Sequence, residues 1–388
     1  MALTTVSSDR LSTNVKNTNF TAAEKQDLTD DILPLVGQLG NRNLIINGAM
    51  QVAQRGTSFT SVTASAYHLD RFQYNLNGTV GAATVTQNTV TDLAGFTKSL
   101  KVDCTTADAS LAASDRLTLR YAFEGQDLQQ VAKGTSSAKQ LTLSFYIKAT
   151  KTGTQIVELF DHDNTRHCAK SVTISQSNTW EKKTITYPAD TTGALDNDNA
   201  NSISIFFGIA CGTDFTSGTL ATAWAANTNA NRFVGQVNHF DNTANNFEIT
   251  GVQLEVGSTA TDFEHRSFGQ DLALSQRYYY RWTAGVTNRY LWQGQSYSTT
   301  SCFGIIKDFP VTMRAVPTST ISGTFTPFGS DGSTSGHTAF ATKPIDQNTI
   351  NSLGTGGWDN GSGVAAGGRC VVVMASEAAA FIDASAEL

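Results

Sequence analysis

Charge is scarce in this sequence. Only 15% of its 388 residues are Asp, Glu, Lys or Arg, with 27 basic side chains against 33 acidic ones and a formal net charge of -6. No stretch concentrates Lys and Arg. Phosphate recognition depends on such concentration, so a nucleic-acid partner is not expected. Long apolar runs are also missing: no 18 consecutive apolar residues occur, which leaves no candidate for a helical membrane span. The stretch MALTTVSSDRLSTN has no basic region followed by an apolar one, so no signal peptide is expected. Cysteine is sparse and odd in number. Cys104, Cys168, Cys211, Cys302 and Cys370 stand 43 or more residues apart, which suits neither a disulfide framework nor a zinc site. They read as small apolar residues of a chain made in a reducing compartment.

What is present is polar without being charged. Hydrophobic residues make up 40%, and Thr, Ser, Asn, Gly and Ala fill much of the remainder, a balance that suits a β-rich protein. The length exceeds what one hydrophobic core usually supports, so two or more packed units are expected.

Residues 1–40 form a separate N-terminal segment. After a polar lead comes TAAEKQDLTDDILPLVGQLG, where Thr21 and Glu24 have capping-box spacing and Leu28, Ile32, Leu35 and Leu39 recur at helical intervals. Pro34 kinks or ends that helix. A lone amphipathic helix cannot bury its own stripe, so it either packs on its own domain or anchors to another copy or another protein.

Residues 41–266 change to short alternating segments broken by turn signals. Asn43 to Ile46 opens the series, and Asn47-Gly48 marks a turn. QLTLSFYIKA puts Leu141, Leu143, Phe145 and Ile147 on one face and Thr142, Ser144, Tyr146 and Lys148 on the other. LTLRYAF, TQIVELF, KKTITYP and SISIFFGIA share that period of two. Many short strands without intervening helices predict a β-sandwich rather than a parallel α/β sheet. In GVQLEVGSTATDFEHRS the alternation slips at Thr250-Gly251, which predicts a bulge, with Glu255 turned away from the core face. Residues 267–282 predict a short connecting helix: Ser267 and Gln270 have capping-box spacing, and Leu272, Leu274 and Tyr278 or Tyr279 supply its apolar side. Residues 283–388 read as a second β-rich unit, with a loop-heavy middle at 329–365 and edges that multimerisation would cover.

Catalytic motifs are absent. No G-x-S-x-G elbow occurs, and GTGG at 354–357 lacks the strand, helix and GK[ST] context of a nucleotide site. DHDNTRH offers Asp161, His162, Asp163 and His167 just after a strand, where sandwich loops place binding residues. Neither the calcium-loop pattern nor H-E-x-x-H is complete there. The stretch is a surface turn, a ligand contact or a metal site; no cofactor is required, and a structural calcium stays open. Paired carboxylates for glycosidic cleavage would have to come from Glu158, Glu255, Asp262 or Glu264, with two of them standing about 5 to 9 Å apart around a sugar, an arrangement that spacing along a chain does not reveal. Aromatic residues in polar, turn-rich surroundings are the stronger signal. Trp180, Trp224, Tyr290, Trp292 and Trp358 either pack in cores or present rings to the apolar face of a sugar.

Three stretches carry a resemblance. NLIINGAMQVAQRGTSFT followed by YHLDRFQY, ITGVQLEVGSTATDFEHRSFGQDLALSQRYYYRW, and FPVTMRAVPTSTISG together resemble fibre-like virion proteins of tailed bacteriophages and related prophages. KQLTLSFYIKATKTG and SNTWEKKTITYPAD resemble the jelly-roll sandwich of carbohydrate-binding modules. The expected fold is therefore mainly β: a jelly-roll β-sandwich with a short N-terminal helical adaptor and a second C-terminal β-rich domain. The resemblance implies that Asp70 and Arg71 form a turn and the start of a strand, and that Glu255, Phe263, Glu264 and Arg266 close the domain. Many relatives read CQRYY where this chain has SQRYY, with Ser275 in place of the cysteine, which argues against an essential thiol.

The family implies no catalytic motif. It implies a homotrimer or other multimer located on the virion and synthesised in the host cytoplasm, bound to other virion proteins through its N-terminal segment and facing host surface polysaccharide. The expected function is a non-enzymatic, multivalent tail-fibre or receptor-binding adhesin. The alternatives are a structural or capsid-decorating virion protein and a polysaccharide depolymerase.

Overall fold

The computed structural model describes residues 42–303, 307–328, 339–340, 348–353, 357–358 and 370–388. The predicted helix in residues 21–40 and most of the predicted loop region 329–365 lie outside the described residues.

The expected β-sandwich is present. Its strands in chain order are β1 (Ser58–Val62), β2 (Ala66–Leu69), β3 (Phe72–Asn77), β4 (Ala82–Thr89), β5 (Lys98–Thr106), β6 (Arg116–Glu124), β7 (Leu141–Ala149), β8 (Gly153–Asp161), β9 (Arg166–Ile174), β10 (Glu181–Tyr187), β11 (Asn201–Cys211), β12 (Ala225–Ala226) and β13 (Asn246–Val256). Among the described residues they form a six-stranded sheet, β1-β4-β5-β13-β7-β10, and a seven-stranded sheet, β12-β9-β8-β11-β6-β3-β2. Sequence neighbours such as β8 and β9 pair as hairpins, whereas β11 lies between β8 and β6 and β13 between β5 and β7. The chain thus crosses repeatedly between two layers, as a jelly roll does.

Alternation explains how the layers hold together. Leu143, Phe145 and Ile147 of β7 face Ile203, Ile205 and Phe207 of β11 within one continuous buried core. Phe145 and Phe207 meet edge to face across the two sheets at 5.1 Å. The Tyr187 hydroxyl donates 3.0 Å to the Val157 carbonyl, linking the edge of one sheet to the other.

The slip predicted in β13 is real. Its register against β7 shifts between Thr250 and Gln253, and Gly251 sits at φ 59°. A side chain there would be doubly disfavoured: the backbone is left-handed, and a Cβ would come within 2.7 Å of the Phe96 ring and 2.9 Å of Tyr146. Asn43 to Ile46, expected to begin a strand, is instead an irregular segment pinned at the sandwich end, where Leu44 N–H donates 2.9 Å to the Leu254 carbonyl. The Asn47-Gly48 turn follows, with Asn47 at φ 59°.

The capping box at Ser267 and Gln270 starts helix α1 (Phe268–Gln276) as predicted. The buried side of α1 differs from expectation. It buries Asp271 and Ser275 and leaves Phe268 and Leu274 exposed. Asp271 is drawn inward because it accepts from Asn47 N–H and stands 3.8 Å from Arg266. Ser275 is buried with its hydroxyl making no hydrogen bond, which fits a small packing residue standing where a cysteine serves equally well.

The C-terminal unit begins before the expected boundary at 283. β14 (Tyr279–Thr283) pairs with β23 (Phe381–Ser385), which also pairs with β18 (Thr318–Ser322). A second sheet runs through β15 (Arg289–Ser296), β16 (Cys302–Phe303), β19 (Phe325–Phe328), β21 (Gly357–Trp358) and β22 (Cys370–Ala375), and β17 (Lys307–Asp308) pairs with β20 (Ser352–Leu353). Its core gathers Phe309, Met313, Phe325, Phe340, Trp358, Val373 and Ile382.

Candidate functional site

The outer face of the seven-stranded sheet carries the richest set of side chains not used by a core. On β6 the inward residues are Leu117, Leu119 and Tyr121, so Arg116, Thr118 and Arg120 take the opposite face. By register, Gln73 of β3, Arg120 of β6 and Phe206 of β11 stand in one cross-strand row, with Asn75 and Thr118 in the next.

Part of this face is roofed. The segment between β11 and β13 lays Phe215 and Phe233 over Ile156, Ala169 and Phe206, making a small separate apolar cluster. Beneath it lies Glu158, fully buried. Arg232 grips its carboxylate with Nε at 2.8 Å and Nη2 at 2.6 Å, and His167 Nδ1 shares a 2.9 Å hydrogen bond with it. Burial alone would raise the Glu158 pKa. The Arg232 charge and the hydrogen bonds from His167 and Arg232 outweigh burial and hold it below the usual carboxylate range.

The uncovered part is a strip of mixed chemistry. Phe160 and His162 stand with ring centroids 4.8 Å apart, and His162 Nε2 lies 3.0 Å from the Ser204 hydroxyl. Arg120 donates from Nε to Ser204 at 3.1 Å and from Nη1 to Gln73 at 3.2 Å and to Leu388 O at 2.9 Å. Ring burial, then the charges of Arg120 and Arg232, lower the His162 pKa to about 4, so the imidazole is neutral at neutral pH although an edge of the residue reaches solvent. Phe160, Gln73, Asn75 and Arg120 are half-buried. The strip therefore pairs an aromatic platform with amide, imidazole and guanidinium groups, the last two fixed by the buried Ser204 hydroxyl.

Sequence reasoning named His162 and missed its neighbours. The one signal for them was the paired Phe206-Phe207 in SISIFFGIA, where a strand with one buried face should show only one Phe.

DHDNTRH does not gather. Asp161 turns inward and accepts from Lys133 at 2.5 Å and from Asn164; His162 joins the strip; Asp163 accepts from Asp196 N–H at 2.9 Å; His167 serves Glu158. Strand alternation across the β8–β9 hairpin divides the four between faces. Among the described residues no three His, Cys, Asp or Glu side chains are grouped to hold a metal ion.

The aromatic candidates separate just as clearly. Trp180 is half-buried, its N–H donating 2.9 Å to Asp92, with the Lys148 ammonium 5.6 Å above the ring. Trp224 is half-buried against the main core, its N–H donating 2.9 Å to the Pro188 carbonyl. Tyr290 is 56% exposed on β15. The backbone of Trp292 lies on the same strand, and its side chain is outside the described residues. Of the two readings open for Trp358, core ring or sugar platform, the structure shows the first: it is fully buried, packed edge to face against Phe325 and Phe340 at 5.5 and 5.4 Å. A ring enclosed in this way offers no face to a ligand.

The residues that the resemblance assigns to domain closure make the following contacts. Glu264 accepts from Asn43 N–H at 2.8 Å, Arg266 donates to the Ile45 carbonyl at 2.8 Å and to the Asn43 carbonyl, Glu255 accepts from Thr261, and Phe263 packs on Phe96 at 5.1 Å. Asp70 accepts from Gln54 N–H and its side-chain amide. Arg71 is buried between the Tyr278 ring at 3.4 Å and the Tyr121 ring at 5.1 Å, and it donates 2.6 Å to Glu387. Arg277 holds Glu124 of β6 at 2.8 and 2.7 Å. Most of these residues thus converge on the joint between the sandwich and the C-terminal unit, which borders the open strip: Tyr67 and Arg120 both donate to Leu388 O.

No protein-family model matches the chain, and no curated protein matches it. Solved structures do. A tailspike protein 4 enzymatically active domain from bacteriophage CBA120 aligns at 14% identity and TM-score 0.29, over 55% of this chain and 21% of that one. A xylan-binding CBM22-1 domain from Paenibacillus barcinonensis aligns at 9% identity and TM-score 0.26, covering 56% of this chain and 96% of the domain. A family 22 carbohydrate-binding module of Clostridium thermocellum aligns at 14% identity and TM-score 0.25, covering 49% and 89%. The chain spans about a fifth of the tailspike domain's length.

Proposed function

We propose that the protein is a non-enzymatic glycan-binding component of a phage tail fibre or related receptor-binding appendage. The observation that carries the glycan reading is the open strip of Phe160, His162, Arg120 and Gln73, with buried Ser204 fixing Arg120 and His162 from beneath. A sugar ring presents an apolar face and an equatorial rim of hydroxyls, and the strip supplies a partly exposed aromatic ring beside fixed donors and acceptors. Its shallow, half-exposed character suits weak sites repeated on a multivalent particle, where linkage raises the effective concentration.

The carboxylates considered for cleavage support the non-enzymatic reading. A general acid needs a raised pKa, yet Glu158 is held low by Arg232 and His167. Glu255 and Glu264 are bound to Thr261 and Asn43 in the closing segment. The fibre role draws its support from the three resembling stretches and their convergence on one interdomain joint.

Binding of the assembled protein to host cells, with host surface polysaccharide as competitor, tests this reading. Saturable binding abolished by the polysaccharide is expected. Gln73→Ala and Phe160→Ala should each weaken it about tenfold, the scale of one lost contact of ~1.4 kcal/mol. Unchanged affinity in both variants would remove the strip as the site.

A scaffold role in the virion is the second reading, and one observation favours it. Among the described residues, the large exposed apolar side chains, Phe268, Leu274, Val286, Tyr290, Tyr297, Val316 and Ile350, all lie past Ser267. Where such residues gather into one patch, they mark a surface that another chain covers. Light scattering in solution should therefore give a mass near three times the 41.4 kDa of one chain. A monomeric mass would defeat the self-association on which both multivalent binding and scaffolding depend.

A further inference from the structure

Arg116 opens β6 on the same outer face as Arg120, beside Asn77 of β3 and Cys211 of β11. Its guanidinium carbon lies 5.0 Å from the Phe215 ring centroid and 5.7 Å from that of Phe206. Its Nε is buried without a hydrogen-bond partner, and among the described residues the side chain makes no hydrogen bond or ion pair. The nearby carboxylates are committed elsewhere: Glu158 to Arg232 and His167, and Asp115 to the backbone N–H groups of Ala112 and Thr79 at 2.8 and 3.1 Å. Arg120 and Arg232 add to the local positive field. Arg116 thus feels two like charges and one carboxylate, and that carboxylate is already bound.

A cation drawn partly out of water is costly unless an anion meets it. Burial, then the Arg232 charge, lower the Arg116 pKa to about 10, which still leaves it charged at neutral pH. A guanidinium seated on aromatic rings keeps its planar fork free for a carboxylate.

We infer that Arg116 is an acid-recognising subsite at the edge of the roof, on the same sheet face as the strip, taking the carboxylate of a uronic or other acidic sugar, so that the ligand is an anionic polysaccharide. This inference rests on the glycan-binding reading. It adds the charge of the ligand and the residue that selects it.

The test uses the full-length assembled protein and two probes. In the first, the Arg116 Nε–Hε NMR signal, assigned by its loss in Arg116→Gln, is followed during titration with D-glucuronate, D-glucose and acetate at matched ionic strength. A saturable shift with glucuronate that glucose and acetate do not reproduce is expected. An equal response to acetate would show a non-selective anion contact and overturn the acidic-sugar assignment. The second probe is a set of acidic bacterial polysaccharides, each printed native and carboxyl-reduced. The parent should bind native polymers about tenfold more tightly than reduced ones, the scale of a charge-assisted pair. Arg116→Gln, with an unchanged melting temperature, should bind both equally. Equal binding of native and reduced polymers by the parent would overturn the acidic subsite and leave glycan binding standing. Binding to no polymer, acidic or neutral, would remove both.

Discussion

Replacing Arg71 by methionine is expected to cost about 3 kcal/mol of stability and to loosen the C-terminal unit from the sandwich, the scale for breaking a buried ion pair. Arg71 is fully buried and stands at φ 71°, a left-handed conformation that a branched-free but bulky residue adopts only when its surroundings hold it. What holds it is distributed over both units. Its guanidinium stacks on Tyr278, donates 2.5 Å to the Ala122 carbonyl of β6, and pairs with Glu387 beyond β23. Around that pair, Tyr67 donates 2.5 Å to Leu388 O, and Arg314 donates 2.7 Å to the Ala386 carbonyl. Methionine keeps much of the volume and removes the charge, which leaves Glu387 with Arg55 at 3.2 Å as its remaining cation. That residual partner sets the expectation at the lower end of the range. Urea denaturation should show the loss, and a separate early transition for the C-terminal unit should appear. Adding Glu387→Gln should recover part of it, because the second change removes the carboxylate left behind. A loss below about 1 kcal/mol in the single variant would mean that apolar packing, rather than this ion pair, joins the units.

The joint also shows what the chain's pattern revealed and what it concealed. Period-two alternation located β6, β7, β8, β10 and β11 closely, because each has one face against a core that tolerates no polar residue. The bulge at Gly251 and the capping box at Ser267 were legible for a similar reason: each is set by neighbours only a few residues away. Pairing over long separations was not legible. Nothing near Arg71 announces Glu387, and nothing near Glu158 announces Arg232, since strand order in the two sheets is what brings them together. The strip suffered most from this. Gln73, Arg120 and Ser204 come from three separate strands and look like ordinary outward residues one at a time. Trp358 was ambiguous for the same reason: its polar, turn-rich surroundings left a core ring and a presented ring both open, and the ring fills the C-terminal core.

The second large effect is expected at the buried pair under the roof of the strip. Arg232→Met should lower stability by about 3–5 kcal/mol at neutral pH, since it leaves Glu158 fully buried with His167 as its remaining hydrogen-bond partner. The pH dependence identifies the cause. In the parent the folded carboxyl pKa is depressed below its unfolded value, so its stabilisation is complete above the unfolded value of about 4.3 and is lost as pH falls through the lower folded value. In the variant the charge that offset burial is gone, so the folded pKa should rise and the carboxyl should take up a proton on folding. The stability gap between the two proteins should then narrow as pH is lowered from about 7 towards about 4. Urea titrations at several pH values measure it, and a gap that stays constant would show that lost packing of Arg232, not an orphaned charge, is responsible. The double variant Arg232→Met with Glu158→Leu should restore part of the stability, because an apolar pair carries no buried charge while His167 Nδ1 loses its partner. It should not restore ligand binding fully. The Arg232 guanidinium carbon lies 4.8 Å from the Phe160 ring centroid and 5.5 Å from that of Phe206, so it positions the platform on which the proposed sugar would stack.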